Sequence, residues 1–377
     1  MTSARVDQRK TRIFLLTPCF VPYDAVGNDV YGMCQLLRSG GYDARILAEE
    51  IHQDYEGIAE TAHLKSAYWN SSDDILIYHQ SIGWPLGESL LSRTRNKIVL
   101  RYHNITPPRF YEHYARHYYD ACVQGERSTR RIAHIRPATF WGASRFNAEG
   151  LISCGAPREQ CRWVPPCHLI EESVNIPMDL PTVRAYHDGR MNILFVGGMK
   201  PNKGHLFALR AYAAYRNVYN QQARLIFAGS YDPGLQSYLE DVRRLSRQLG
   251  VESDVVLAHS VSPSQLKAYY YAADVFLCTS EHEGFCVPLV EAMALRVPIL
   301  AWGQTAVPET VGDAGIVHER FDPMVFADSL QQMHRNPKRR LEIVTAGRLR
   351  YEREFHPKAI QRKLISLLRE VECPPTP

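Results

Sequence analysis

Several features that would settle the class of this chain are missing from it. Its nine cysteines are scattered over 377 residues without a Cys-x-x-Cys pair, which argues against a zinc ribbon and a disulfide framework. Cys154, Cys161, Cys167 and His168 fall close together, but their spacing matches no common zinc pattern, so ordinary buried thiols are expected there. No apolar run is long enough to span a bilayer. The polar start, MTSARVDQRKTRIFLL, has neither the apolar centre nor the cleavage site of a signal peptide, and the expected compartment is the reduced cytosol. Neither charge dominates: 44 Lys plus Arg stand against 40 Asp plus Glu. This mild basic balance suits a phosphate-bearing ligand or an anionic surface and does not suggest a nucleic-acid binder. There is no G-x-x-x-x-G-K-[ST] loop and no G-x-S-x-G elbow, which removes the commonest NTPase and hydrolase readings.

What is present is alternation. Apolar, β-branched runs alternate with longer stretches of helical period, the pattern of parallel sheets covered by helices. The first series predicts strands at Arg12–Thr17, Ala44–Leu47, Asp74–His79, Lys97–His103, Thr139–Ala143 and Cys161–Val164. From Pro165 to Arg190 the sequence turns polar, proline-bearing and aperiodic, and reads as a linker or hinge. A second series predicts strands at Asn192–Val196, Arg224–Ala228, Val255–Ala258, Val275–Cys278 and Pro298–Ala301, and three helical segments close the chain. The expectation is an α/β chain of two doubly wound domains, residues 1–183 and 184–355, with a last helix over about 356–372 packing back on the first. Such a pair places a ligand cleft between the carboxyl ends of its sheets.

The stretch TSEHEGFCVPLVEAMALRVPILAWG holds Glu283 and Glu291, eight positions apart. Pro288 suits the first turn of a helix, which puts Glu291 inside an almost wholly apolar one. A buried carboxylate costs several kcal/mol unless it is paired, so Glu291 needs a partner: a ligand diol such as a ribose, or an internal arginine. Glu283 lies in the loop before that helix, where Gly284, Phe285 and Cys286 would bring free N–H groups and the helix dipole to a diphosphate. In FVGGMKPNKGH, Lys203 sits between a strand end and a helix start, where a lysine can neutralise a diphosphate. In RYHNITPP, His103 and Asn104 end a buried strand facing the same cleft.

These residues resemble the retaining GT-B glycosyltransferases of the large GT4 group, whose E-x7-E signature appears here with its EGF and PLVEAMA core. The resemblance runs over nearly the whole chain and is densest in the C-terminal half. It implies a GT-B fold of two Rossmann-like domains and transfer of a hexose from a nucleotide diphosphate sugar with retention. It implies that Glu283 contacts hydroxyls of the donor sugar, Glu291 holds the ribose, Lys203 binds phosphate and His103 contacts the sugar. Two departures stand out. An arginine usual in the family falls at Gly198, with Lys200 as the candidate substitute, and a usual glycine pair after the first strand is reduced to Gly27, followed by Asn28 before a helix starting near Asp29. No D-x-D pair stands at a strand end, so no metal cofactor is expected. The combination of HNITPP with SEHEGFCVPL is similar to bacterial polysaccharide and O-antigen mannosyltransferases, which implies GDP-mannose as donor, with UDP-glucose or another UDP-sugar as the alternative. The implied acceptor is a glycan, lipid-linked, reached by peripheral contact with the cytoplasmic face of the inner membrane. The Tyr- and Arg-rich segment Phe110–Ile135 fits that contact, although a helix with a solvated face and aromatic packing accounts for it better.

Overall fold

The structure is a computed structural model that describes residues 11–21, 24–63, 67–135 and 138–373. Seven parallel strands form the first sheet: β1 (Arg12–Phe20), β2 (Asp43–Ile51), β3 (Ala59–Thr61), β4 (Ile75–Gln80), β5 (Lys97–Tyr102), β6 (Ala138–Gly142) and β7 (Cys161–Trp163), in the order β3-β2-β1-β4-β5-β6-β7. Six more form the second: β8 (Asn192–Val196), β9 (Arg224–Gly229), β10 (Val255–His259), β11 (Val275–Cys278), β12 (Ile299–Trp302) and β13 (Gly315–His318), in the order β10-β9-β8-β11-β12-β13. Every predicted strand is present. The strands β3 and β13 were not foreseen, being edge strands of three and four residues with too little sequence to show a period.

Both sheets reverse direction of growth at one point, between β1 and β4 and between β8 and β11. Crevices open at such switch points, outside the carboxyl ends of the strands. Each sheet is buried on both faces, as parallel sheets must be when helices cover them; all six residues of β4 are buried. The second sheet lies between a cluster with Leu209, Tyr212 and Phe227 on one face and a cluster with Phe276, Leu289 and Met293 on the other.

Two features correct the sequence reading. The linker between Pro165 and Arg190 is not irregular: it holds helices Ile170–Asn175 and Leu180–Tyr186. Neither is long enough to stand alone in water. They form because Asp179 caps the second at Thr182 N, and because the Lys267 Nζ bonds the Val174 and Ile176 carbonyls at 2.6 and 2.7 Å. The helix foreseen from Asp29 instead starts at Ala25, because Asp24 caps it and accepts from the N–H groups of Val26 and Gly27.

The last helix, Pro357–Glu372, inserts Ile360, Leu364 and Leu368 into the cluster that contains Ile13, Val30 and Leu37 on the first sheet. It is tied there by Gln361 Nε2 to the Leu36 carbonyl at 2.8 Å and by the Arg162–Glu370 ion pair at 2.9 Å. The chain therefore crosses back, and its two halves are joined twice.

Candidate active site

The loop after β11 meets the loop after β5. A Cβ built on Gly284 would lie 2.4 Å from the His103 carbonyl oxygen, so glycine is the residue that permits this approach. Beside it the His282 ring nitrogen Nε2 stands 3.1 Å from Asn104 Oδ1, while Asn104 Nδ2 donates to Asn147 Oδ1 at 2.8 Å. Asn104 has φ +79°, a left-handed backbone that asparagine tolerates better than most residues.

Lys203 and Glu283 come together from positions 80 residues apart: Nζ lies 2.8 and 2.9 Å from the two carboxylate oxygens. Burial lowers the Lys203 pKa, but the Glu283 charge outweighs it and holds the lysine above its ordinary value. The turn into Lys203 is fixed by Gly204 at φ +74°, packed so closely that a Cβ would meet the Thr279 carbonyl oxygen at 2.0 Å. Glu283 N donates to Thr305 Oγ1 at 2.9 Å, a contact from the loop after β12 that the sequence did not announce. The N–H groups of Gly284, Phe285 and Cys286 donate to no acceptor among the described residues. They lead directly into the helix Val287–Ala294.

Glu291 sits on that helix among the buried residues Leu289, Val290, Ala292 and Met293. Within the protein its partner is a tyrosine and not an arginine: Tyr270 OH donates to Glu291 Oε2 at 2.7 Å. Burial raises the Glu291 pKa, with the tyrosine bond acting against it. Lys200 lies beside the Gly198 position, its Cε 3.8 Å from where a Gly198 Cβ would be. Burial first, then the charge of Lys203, hold Lys200 below its ordinary value, while Asp24 and Asp232 pull it upward.

Gly27 lies inside the first helix, its N–H accepted by Asp24 Oδ2 at 2.9 Å, and a Cβ there would meet the Val21 carbonyl at 2.8 Å. Its amide is therefore engaged rather than presented to a diphosphate, and the Asn28 N–H is likewise taken by the Asp24 carbonyl. Cys154, Cys161, Cys167 and His168 do not gather: His168 turns to the Phe355 carbonyl at 2.8 Å. In the segment from Phe110, Tyr114 OH bonds Asp241 at 3.0 Å and Tyr118 OH bonds Asp232, so these tyrosines join the two halves of the molecule. Arg127 and Arg130 face solvent.

His103, expected at the site, stands against Asp29, His79 and Arg101, three fully buried residues that the sequence reading missed. Burial would raise Asp29, but Arg101, then His103 and His79, outweigh it and hold the carboxyl at about 2. Burial lowers His103 to about 4 against the pull of Asp29, and drives His79 below its ordinary value. The atoms of Asp29, His79 and His103 are the one grouping among the described residues with metal-ligand spacing. The Arg101 guanidinium already stands 2.9 Å from Asp29 Oδ2 in the place of a cation.

A pH dependence follows. Burial holds His103, His168 and His282 at about 4 and His205 at about 3, so each is neutral in the fold and charges only on unfolding near neutrality. A lowered histidine gives stability that is present above its unfolded value of 6.5 and is lost as pH falls through the folded one. Glu281, Glu291 and Glu309, raised by burial, act in the opposite sense. With the larger shifts on the histidines, the Tm is expected to fall steadily from pH 6.5 to 4.5. Thermal melts that stay level over that window would contradict it.

No helix among the described residues is long and apolar enough to cross a membrane. The family described as glycosyl transferases group 1 matches residues 184–350. A D-inositol 3-phosphate glycosyltransferase of Acidothermus cellulolyticus is 28% identical over 211 residues, covering 54% of this chain and 46% of that protein. The O-antigen chain mannosyltransferase B of Escherichia coli is 30% identical over 164 residues, covering 43% of this chain and 41% of that protein. The chain thus spans less than half the length of these curated relatives. Among solved structures, Anabaena HepE in complex with UDP-glucose superposes with a TM-score of 0.74 at 15% identity over 96% of this chain and all of that one. Sucrose-phosphate synthase of Thermosynechococcus elongatus gives a TM-score of 0.74 at 17% identity over 96% of this chain and 99% of that one. The likeness to these structures establishes the two-domain GT-B fold. On that fold, residues 184–350, less than half of the chain, are similar to the glycosyl transferases of group 1.

Proposed function

We propose that this chain is a retaining glycosyltransferase of GT4 type that moves a hexose, mannose from GDP-mannose, to a lipid-linked glycan acceptor in surface polysaccharide synthesis. The observation that carries the reading is the Lys203–Glu283 pair beside three free backbone N–H groups, where the two sheets' carboxyl ends meet. In the ligand-free protein Glu283 neutralises Lys203. A donor diphosphate, more highly charged than one carboxylate, competes for the lysine and releases Glu283 toward the sugar hydroxyls. Burial first, and the charge of Lys203 second, disfavour the charged form of Lys200, and an anion between the two lysines would offset both. Lys200 then takes the part of the arginine missing at Gly198. The lysines and the amides of Gly284–Cys286 stabilise the leaving diphosphate without a metal. His103 closes on the sugar from the other side.

The likeness to an O-antigen chain mannosyltransferase supports mannose as the sugar, with GDP-mannose as our reading of its donor; the likeness to HepE, solved with UDP-glucose, supports a UDP-sugar as the second reading. A panel of nucleotide sugars read by thermal shift separates them. At a donor concentration 100 times Kd, stabilisation is about 2.7 kcal/mol. GDP-mannose is expected to raise the Tm where UDP-glucose does not, and a response to UDP-sugars alone would overturn the donor assignment. The anomeric configuration of the product, read by NMR, tests retention.

Glu291 carries a prediction with two signs. Its raised pKa means that the ionised form costs stability, a cost absent below the unfolded value and felt as pH rises through the folded one. Glu291→Gln is therefore expected to raise the Tm of the ligand-free protein at pH 7 by about 2 °C. The same change removes a charged acceptor from the ribose and is expected to weaken donor binding by about tenfold or more. Calorimetric titration of the two proteins checks both; unchanged donor affinity would remove Glu291 from the site.

A further inference from the structure

Asp29 has no part in the mechanism above, yet it is fully buried and holds four elements to one point. Its Oδ1 accepts the Cys167 N–H at 2.6 Å from the loop after β7, and its Oδ2 accepts Arg101 Nε at 2.9 Å from β5. Arg101 is itself locked, with Nη1 donating to the carbonyls of Gly142 and Val164 at 3.0 and 2.7 Å. The same Asp29 Oδ2 lies 3.4 Å from His103 Nε2 and 3.8 Å from His79 Nδ1. These groups, with Asp24 at the helix start, are the charged and titratable side chains that act on the His103 ring.

His103 Nε2 and His79 Nδ1 stand 3.0 Å apart, so the two neutral rings share one proton between those nitrogens. If His103 presented a lone pair there, that pair would face a carboxylate oxygen at 3.4 Å; a proton at Nε2 is instead attracted by it. His79 then accepts at Nδ1, and its own proton lies on Nε2, which has no partner among the described residues. The alternative arrangement spares that buried donor but moves the shared proton from the nearer nitrogen to the one 3.8 Å from Asp29. His103 Nε2 points inward in either case, and Nδ1, with no partner among the described residues, is the ring nitrogen left for a ligand.

We propose that Asp29, acting through His103 and seconded by His79, is a positioning residue: it fixes the His103 imidazole with its proton on Nε2 and offers Nδ1 to the cleft as an acceptor for a sugar hydroxyl. This rests on the reading that His103 faces the bound sugar. The donor in that hydrogen bond is then the sugar, and the enzyme's nitrogen accepts. The arrangement follows the general rule that the bond made by one imidazole nitrogen decides the state of the other.

Full-length protein labelled with 15N-histidine, with the His103 signals assigned by their loss in His103→Gln, tests this by long-range proton–nitrogen NMR. The wild type is expected to show a protonated Nε2 and an unprotonated Nδ1 at pH 7. Asp29→Asn keeps the shape but removes the charge, and is expected to redistribute the His103 proton and lower kcat by about 10²-fold while the donor KM moves much less. A wild-type His103 protonated at Nδ1, or a folded Asp29→Asn variant with wild-type kcat, overturns the proposal. If Asp29→Asn does not fold, His79→Gln takes its place: Asp29 alone then holds the proton on Nε2, and a shift to Nδ1 overturns the proposal. The outcomes separate from the broader reading, since a wild type that transfers no sugar from any nucleotide donor defeats the glycosyltransferase assignment, whereas the His103 tautomer is read without turnover.

Discussion

Glu283→Ala is expected to lower kcat/KM for sugar transfer by about 10²–10³-fold, the size of effect seen when a single charged contact to a reacting group is removed. Glu283 is 8% exposed and its partner Lys203 is 23% exposed at the side chain, so the variant leaves a lysine that water can still reach. The cost to the fold is then about 1–3 kcal/mol, felt as a Tm lower by several degrees but with folding retained. Glu283→Gln separates the roles further. It keeps an acceptor for a sugar hydroxyl while leaving Lys203 without its counter-charge, so an intermediate loss of transfer is expected with a similar loss of Tm. Parallel measurement of kcat/KM and Tm checks this, and an alanine variant with wild-type transfer would sink the assignment of Glu283 to the donor sugar.

Much of the architecture is legible because parallel strands buried on both faces read as continuous apolar runs, as Ile75–Gln80 and Val275–Cys278 do. The Glu283–Glu291 stretch is legible because a carboxylate inside an apolar helix demands an explanation. The same test applied to the first helix would have found Asp29, which lies on the buried stripe with Val30 and Met33. What the chain could not reveal is which distant group answers each demand. Lys203 meets Glu283 across 80 positions, and Tyr270 reaches Glu291 from the preceding helix. Asp29, His79 and His103 are brought together only because β4 and β5 lie side by side, next to the helix that follows β1. The two linker helices were hidden for a related reason: they depend on Lys267, far along the chain, more than on their own sequence.

Gly284→Ala tests whether the meeting of the two halves is itself part of catalysis. The added methyl would lie 2.4 Å from the His103 carbonyl oxygen, 3.0 Å from Asn104 Cβ and 3.1 Å from Asn147 Nδ2. The first of these is backbone at the end of a buried strand and cannot swing aside as a flexible side chain would. Relief must come from moving the Glu283 loop or from parting the two sheets' ends, and either shift separates Glu283 from His103. A displacement of about 1 Å in such a site costs about 10²-fold in rate, and that loss is expected in kcat/KM. The clash lies between the halves, outside both hydrophobic cores, so the Tm is expected to fall far less than for a buried cavity or an overpacked core. On the proposed function donor binding draws on Lys203 and Glu291 within the second half, and it should weaken less than turnover does. A Gly284→Ala variant with wild-type kcat/KM would mean that the close approach of Gly284 to His103 belongs to the resting protein and not to the arrangement in which sugar is transferred.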